Sequence, residues 1–132
     1  MSEENVDLVR RGHEALRTGG EETLFAFLDP DIDLSPIEEL PGLESYHGHD
    51  GVRRYFRDTR DAFGTFGWEP LELVDLGDHV LAVTRFHAEG RDSGVPVEVV
   101  IYNVFTVRAG QVVRIRGSLD RARALKAVGL ED

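Results

Sequence analysis

Asn103 and His13 are the side chains best suited by type and surroundings to do chemistry. Asn103 sits within residues 95–107, VPVEVVIYNVFTV, where a lone carboxamide among apolar neighbours must find hydrogen-bond partners in the core or in a ligand. As a preorganised donor it suits a ligand carbonyl or a developing enolate. As a core residue it would bond neighbouring backbone, the usual fate of buried polar groups. His13 shares an apolar helix face with Val6, Val9 and Leu16. An imidazole there either serves as a general base near neutral pH or packs as a partly buried ring, the commoner outcome.

Weaker candidates surround these two. His47-Gly48-His49 invites a metal reading, but no further ligand follows at a recognised spacing, so no metal site is expected. Tyr55 and Trp68 either line a cavity with a polar tip or fill the core. Asp33, alternating with Ile32 and Leu34, points outward. Arg53, Arg54, Arg57 and Arg60 read as a solvated helix face.

The elements that must position these groups follow from pattern. Residues 95–119 form a hairpin turning at Gly110, its first strand rich in branched and aromatic residues and its second alternating Val113, Ile115 and Leu119 against Arg114, Arg116 and Ser118. On the first strand Val99, Ile101, Asn103, Phe105 and Val107 share a face. Helices are expected from Ser2 to Thr18, from Glu21 to Leu28 and from about Asp50 to Gly64, with a short strand at 31–35. Residues 36–50, with two prolines and two glycines, read as a surface loop, either a lid or a plain crossing. Strands at 68–76 and 80–89 follow, the first disturbed by Pro70 as an edge or bulge. Asp120 caps a last helix, 121–128, which Gly129 ends.

At 132 residues the chain is long enough for one domain with a sizeable core. Its 25 acidic against 15 basic residues, a formal charge of -10, argue against nucleic acid and anionic lipid as partners. There is no cysteine, hence no disulfide and no thiolate site. With an acidic N-terminus and no long apolar run, a soluble cytoplasmic protein is expected.

Helix, helix, strand, helix and four long strands make an α+β domain. SEENVDLVRRGHEALRTGG, LDPDIDLSP, YHGHDGVRRYF, LVDLGDHVLAV and VFTVRAGQVVRIRGSLDRARALKAVGL, in that order, resemble a SnoaL-like protein of the nuclear transport factor two-like superfamily. The resemblance spans nearly the whole chain, 1–132. It implies a cone: a curved antiparallel sheet wrapped around the N-terminal helices, a short C-terminal helix, and a pocket between the concave face and the first and third helices. It also implies dimers formed through the sheet, which the outward apolar residues Leu81, Val83, Val100, Tyr102 and Val104 support independently.

The superfamily includes cyclases, isomerases and hydrolases, so fold alone does not name the reaction. Against the steroid-isomerase relatives, Ser35 stands where the base precedes a proline, Gly12 where a tyrosine donates, and Asn103 where a second acid lies. That mechanism is therefore not expected. The pocket implied takes its polar groups from His13 and Asn103 and its lining from Tyr55, Trp68, Phe86, Ile101, Phe105, Ile115 and Leu119. Two functions stay open: a cofactor-independent acid/base enzyme on a small hydrophobic metabolite, or a ligand-binding or dimerisation module without turnover.

Overall fold

A computed structural model describes residues 2–39 and 45–130. Its elements are α1 (Ser2–Gly19), a 3-10 helix (Glu21–Ala26), β1 (Leu28–Ser35), β2 (Tyr46–His47), α2 (Gly48–Ala62), β3 (Phe63–Leu76), β4 (His79–Gly90), β5 (Pro96–Arg108), β6 (Gln111–Ser118) and α3 (Arg121–Lys126). The fold is α+β. Among the described residues the strands form one curved, open sheet in the order β2-β1-β6-β5-β4-β3. All pairings are antiparallel except β1 with β6. The expected antiparallel sheet is thus mixed, because β1 reaches its neighbour from the far end of the chain, free of the hairpin constraint that fixes strand direction.

The β5–β6 hairpin turns on Ala109 and Gly110, both left-handed at φ 53° and 77°. Two such residues in succession match the twist of the strands they join. Beyond the turn a bulge intervenes, since Val107 faces Val112 while Thr106 faces Arg114. The extra residue, Val113, resets the alternation, so Val112 joins Ile115 on the concave face in place of the Val113 expected there. A second bulge follows Pro70 in the edge strand β3, as the proline suggests. Trp68 before it faces the helices. Val74 after it faces outward beside Leu81.

Several boundaries move. Residues 21–26 tighten into a 3-10 helix, and β1 begins at Leu28 rather than Asp31, drawn into the sheet by its pairing with Val112. Within 36–50, Tyr46–His47 adds a short strand to β1 and α2 starts at Gly48. The lid reading of that segment rests partly on residues 40–44, which lie outside the described residues. Its described flanks are pinned: Glu38 N–H donates to the Gly117 carbonyl at 3.0 Å, and Ser35 Oγ meets Ser45 Oγ at 3.0 Å. Arg53 lies over the Phe25 ring at 4.3 Å and reaches Glu22, while Arg60 pairs with Glu21. Two of the four arginines thus strap α2 to the 3-10 helix instead of standing free in solvent.

The main core gathers Leu8, Leu28, Ile32, Leu34, Tyr46, Val52, Phe56, Val107 and Val112 between the helices and the concave face. The convex face has its own cover. Asp120 accepts from the Ala122 N–H at 3.0 Å and caps α3, and Gly129 (φ 80°) ends it with Leu130 N–H returning to the Leu125 carbonyl at 2.9 Å. That pair of devices aims Ala124 and Leu125 at the sheet. Leu81 and Val104, taken from the sequence as an exposed dimer patch, are 0% exposed beneath them. The premise of the dimer argument fails at those two residues, because the chain's own last helix occupies the place assigned to a second copy. No helix among the described residues is long and apolar enough to cross a membrane.

Candidate functional site

Inside the sheet lies a cavity of about 130 Å³, bounded by α1, the 3-10 helix, α2 and the concave face of β3 to β6. Period-two geometry delivers its floor: Thr84 from β4, Ile101, Asn103 and Phe105 from β5, Ile115 from β6. Helical spacing delivers its roof, with Leu8, Val9, Gly12, His13 and Leu16 from α1, and Val52, Tyr55 and Phe56 from α2. Trp68, from β3, closes one side against Tyr55, Phe56 and Phe86, with ring centroids 6.2, 5.6 and 5.4 Å away. No carboxylate, arginine or lysine is among the described residues of this lining.

Both polar candidates are brought to the cavity. The His13 Nδ1 lies 2.9 Å from the Val9 carbonyl, which can only accept, so Nδ1 carries the proton and Nε2 keeps its lone pair. The ring meets Phe105 edge to face at 5.8 Å. Burial pushes the imidazole pKa below its ordinary 6.5, opposed in part by the Val9 bond. The neutral base is therefore the resting form at neutral pH.

That shift carries a sign for stability. A buried imidazole that resists protonation lets the unfolded chain take up the proton first, so His13's contribution is complete above pH 6.5 and is lost as pH falls through 6.5 toward the lowered native value. Within that window the slope approaches about 1.4 kcal/mol per pH unit. Urea unfolding between pH 7.5 and 5 should show this extra slope in the wild type and not in His13→Phe. Equal slopes in both would contradict it.

Asn103 is held differently. A Cβ placed on Gly117, its partner on β6, would stand 1.8 Å from the Pro36 carbonyl oxygen and 2.7 Å from Asn103 Oδ1. Only glycine lets those two groups approach. The carboxamide makes no hydrogen bond to any other described residue, and it is not sealed from the cavity. With Oδ1 against Gly117, the NH2 end is left to donate.

Of the expected lining, Tyr55, Trp68, Ile101, Phe105 and Ile115 border the cavity. Burial, and next to it the Tyr46 phenol, push the Tyr55 pKa up, so this group stays neutral. Phe86 stands one layer behind, packed with Ile101, Ala88 and Trp68. Leu119 is outside: β6 ends at Ser118, and Leu119 is 39% exposed with its N–H held by the Glu39 carboxylate at 3.1 Å. The alternation that placed it inward stops one residue too early. Thr84, Val112, Pro36 and Gly117 were not singled out, and Gly12 was noted only as standing where the steroid-isomerase relatives carry a tyrosine. Thr84 was readable from its alternation with Ala82 and Phe86, whereas the close approach at Gly117 leaves no local mark.

The remaining candidates lie away from the cavity. Asp33 points outward to Arg116 at 2.8 Å, and Ser35 turns to Ser45. His47 lies beside Asp31 at 3.9 Å while His49 turns to the Leu28 carbonyl at 3.0 Å, and no group of three or more potential ligands clusters among the described residues. A surface groove of about 630 Å³ between α1 and β3 shares His13, Leu16, Phe56 and Trp68 with the cavity, making those four the wall between it and solvent. A larger hollow of about 960 Å³, at the α1 N-terminus, is bounded by Glu3, Glu4, Asp7 and Asp78 and meets the cavity only at Leu8.

A family model described as a SnoaL-like domain matches residues 9–115. The chain belongs to the SnoaL-like family. Solved structures agree with that architecture. An NTF2-like protein of unknown function from Burkholderia pseudomallei superposes with TM-score 0.79 at 19% identity, over 96% of this chain and 98% of that one. A putative SnoaL-like polyketide cyclase from a Jannaschia species gives 0.73 at 18%, over 86% and 83%. A protein of ketosteroid isomerase-like fold from Catenulispora acidiphila, solved with trimethylamine, gives 0.73 at 13%, over 93% and 92%. No curated protein matches the sequence. At these identities the likeness is one of fold, and the SnoaL-like cavity of this chain has to be read from its own residues.

Proposed function

We propose that this protein binds a small hydrophobic molecule in the cavity and acts on it by cofactor-independent acid/base chemistry. The observation that carries the reading is a carboxamide with no hydrogen bond to another described residue and a neutral imidazole, both on the wall of a largely apolar cavity. His13 Nε2 would take a proton from carbon next to a ligand carbonyl. The C–H electron pair moves onto the oxygen, which Asn103 holds by its N–H, and the imidazolium returns the proton to the same or a conjugated carbon. This is isomerase or cyclase chemistry, the type to which the putative polyketide cyclase among the structural neighbours points.

A second reading, binding without turnover, draws on the absence of any carboxylate from the described cavity residues. A homodimer through the rest of the outer face, around Val83, Val100 and Tyr102, and a cytoplasmic location suited to a chain without cysteine, complete the proposal.

Deuterium uptake separates turnover from binding. With 2-cyclohexenone in D2O near neutrality, the wild type should exchange the ketone's acidic C–H faster than buffer, and His13→Gln should lose at least about 100-fold of that rate. Saturable binding with no exchange above buffer would leave the binding module as the function.

A further inference from the structure

We propose that the ligand is a neutral, single-ring molecule with one carbonyl or hydroxyl oxygen, not a fused polycycle and not an ion. This inference rests on the reading of the cavity as a ligand site and narrows what fits it. Volume decides the size. The cavity measures about 130 Å³, whereas an engineered apolar cavity of about 150 Å³ holds one benzene and pockets for drug-sized ligands run from about 300 Å³ upward. Three or four fused rings would have to displace Phe56, Trp68 or Phe105 from a packed aromatic wall, whereas one ring is close to the size of the space and asks for far less rearrangement.

Charge decides the class. Among the described residues no carboxylate, arginine or lysine lines the space, and the imidazole there, His13, has Nδ1 committed to Val9. A carboxylate or ammonium ligand would give up its hydration and meet no counter-charge. The wall can satisfy a carbonyl oxygen through the Asn103 N–H, which donates, or a hydroxyl through His13 Nε2, which accepts. Gly12 supplies part of the room: a Cβ there would find only the Phe27 ring, at 4.0 Å, so the helix surface is open toward the cavity at that point.

The chain reports its own occupancy, because Trp68 is its one tryptophan and borders the cavity. Melting temperature and Trp68 emission are followed while the full chain is titrated with p-cresol, 2-cyclohexenone, benzoate and androstenedione. The two neutral single-ring probes should raise the melting temperature saturably and change the emission, each binding at least tenfold tighter than benzoate or the steroid. Gly12→Leu, which fills the space from α1, should abolish p-cresol binding, and the milder Gly12→Ala should weaken it several-fold while retaining the fold.

Tighter binding of the steroid, or benzoate binding as well as p-cresol, would overturn the proposed class and leave the cavity reading standing. Unchanged p-cresol affinity in a folded Gly12 variant would put the ligand elsewhere and overturn the proposal. No response to any of the four probes would remove the cavity reading and this inference with it.

Discussion

Replacing Gly117 by alanine is expected to destabilise the protein by about 3 kcal/mol, the upper end for overpacking a closely packed site. The new methyl carbon would stand 1.8 Å from the Pro36 carbonyl oxygen and 2.7 Å from Asn103 Oδ1. Neither obstacle is the loose end of a flexible side chain. Pro36 is backbone, tied through the neighbouring Glu38 N–H to the Gly117 carbonyl itself, so relief means prising residues 36–38 off β6. A loss of about 3 kcal/mol lowers the melting temperature of a chain this size by about 10 °C. A Gly117→Ala protein melting within about 2 °C of wild type, under 1 kcal/mol on the same scale, would show that this contact is not present in solution.

Leu125→Ala should cost about 2 to 4 kcal/mol, the range for truncating a buried leucine. Leu125 is 3% exposed and packs with Ala124 on Leu81 and Val104. Urea midpoints should fall with an unchanged slope, since the same surface is exposed on unfolding. The variant also loosens the cover over two fully buried outer-face residues, so light scattering should show more self-association than in wild type. Were α3 a loose appendage and the outer face covered chiefly by a second copy, the change would cost under about 1 kcal/mol. Scattering that reports only a monomer for the wild type at micromolar concentration would end the dimer proposal.

These sites differ in how plainly the sequence announced them. The hairpin of β5 and β6, the Pro70 bulge, the Asp120 cap and the Gly129 stop are local devices, and residue type and spacing were enough to find them. The inward face of β5 followed from strict alternation, which put Ile101, Asn103 and Phe105 together correctly. Alternation failed where a non-local feature interrupts it: Val113 is the extra residue of a bulge, and Leu119 lies past the end of its strand. What α3 covers was not legible either. Its amphipathic pattern says that one side is buried, but not that Leu81 and Val104 lie beneath it. Gly117 carries no signal because its reason, the Pro36 carbonyl, stands 81 positions away in sequence and arrives only through the parallel pairing of β1 with β6.

Asn103→Leu tests the central claim most directly, with unfolding free energy and p-cresol affinity measured on the same preparation. Leucine keeps about the same volume and removes the amide. If the carboxamide serves a ligand, stability should hold or rise, and p-cresol should bind more weakly by about 1 to 3 kcal/mol, roughly five- to a hundred-fold, for want of a partner to its oxygen. The opposite pattern, a loss of stability of similar size with p-cresol affinity unchanged, would make Asn103 a structural residue of the core and contradict the account.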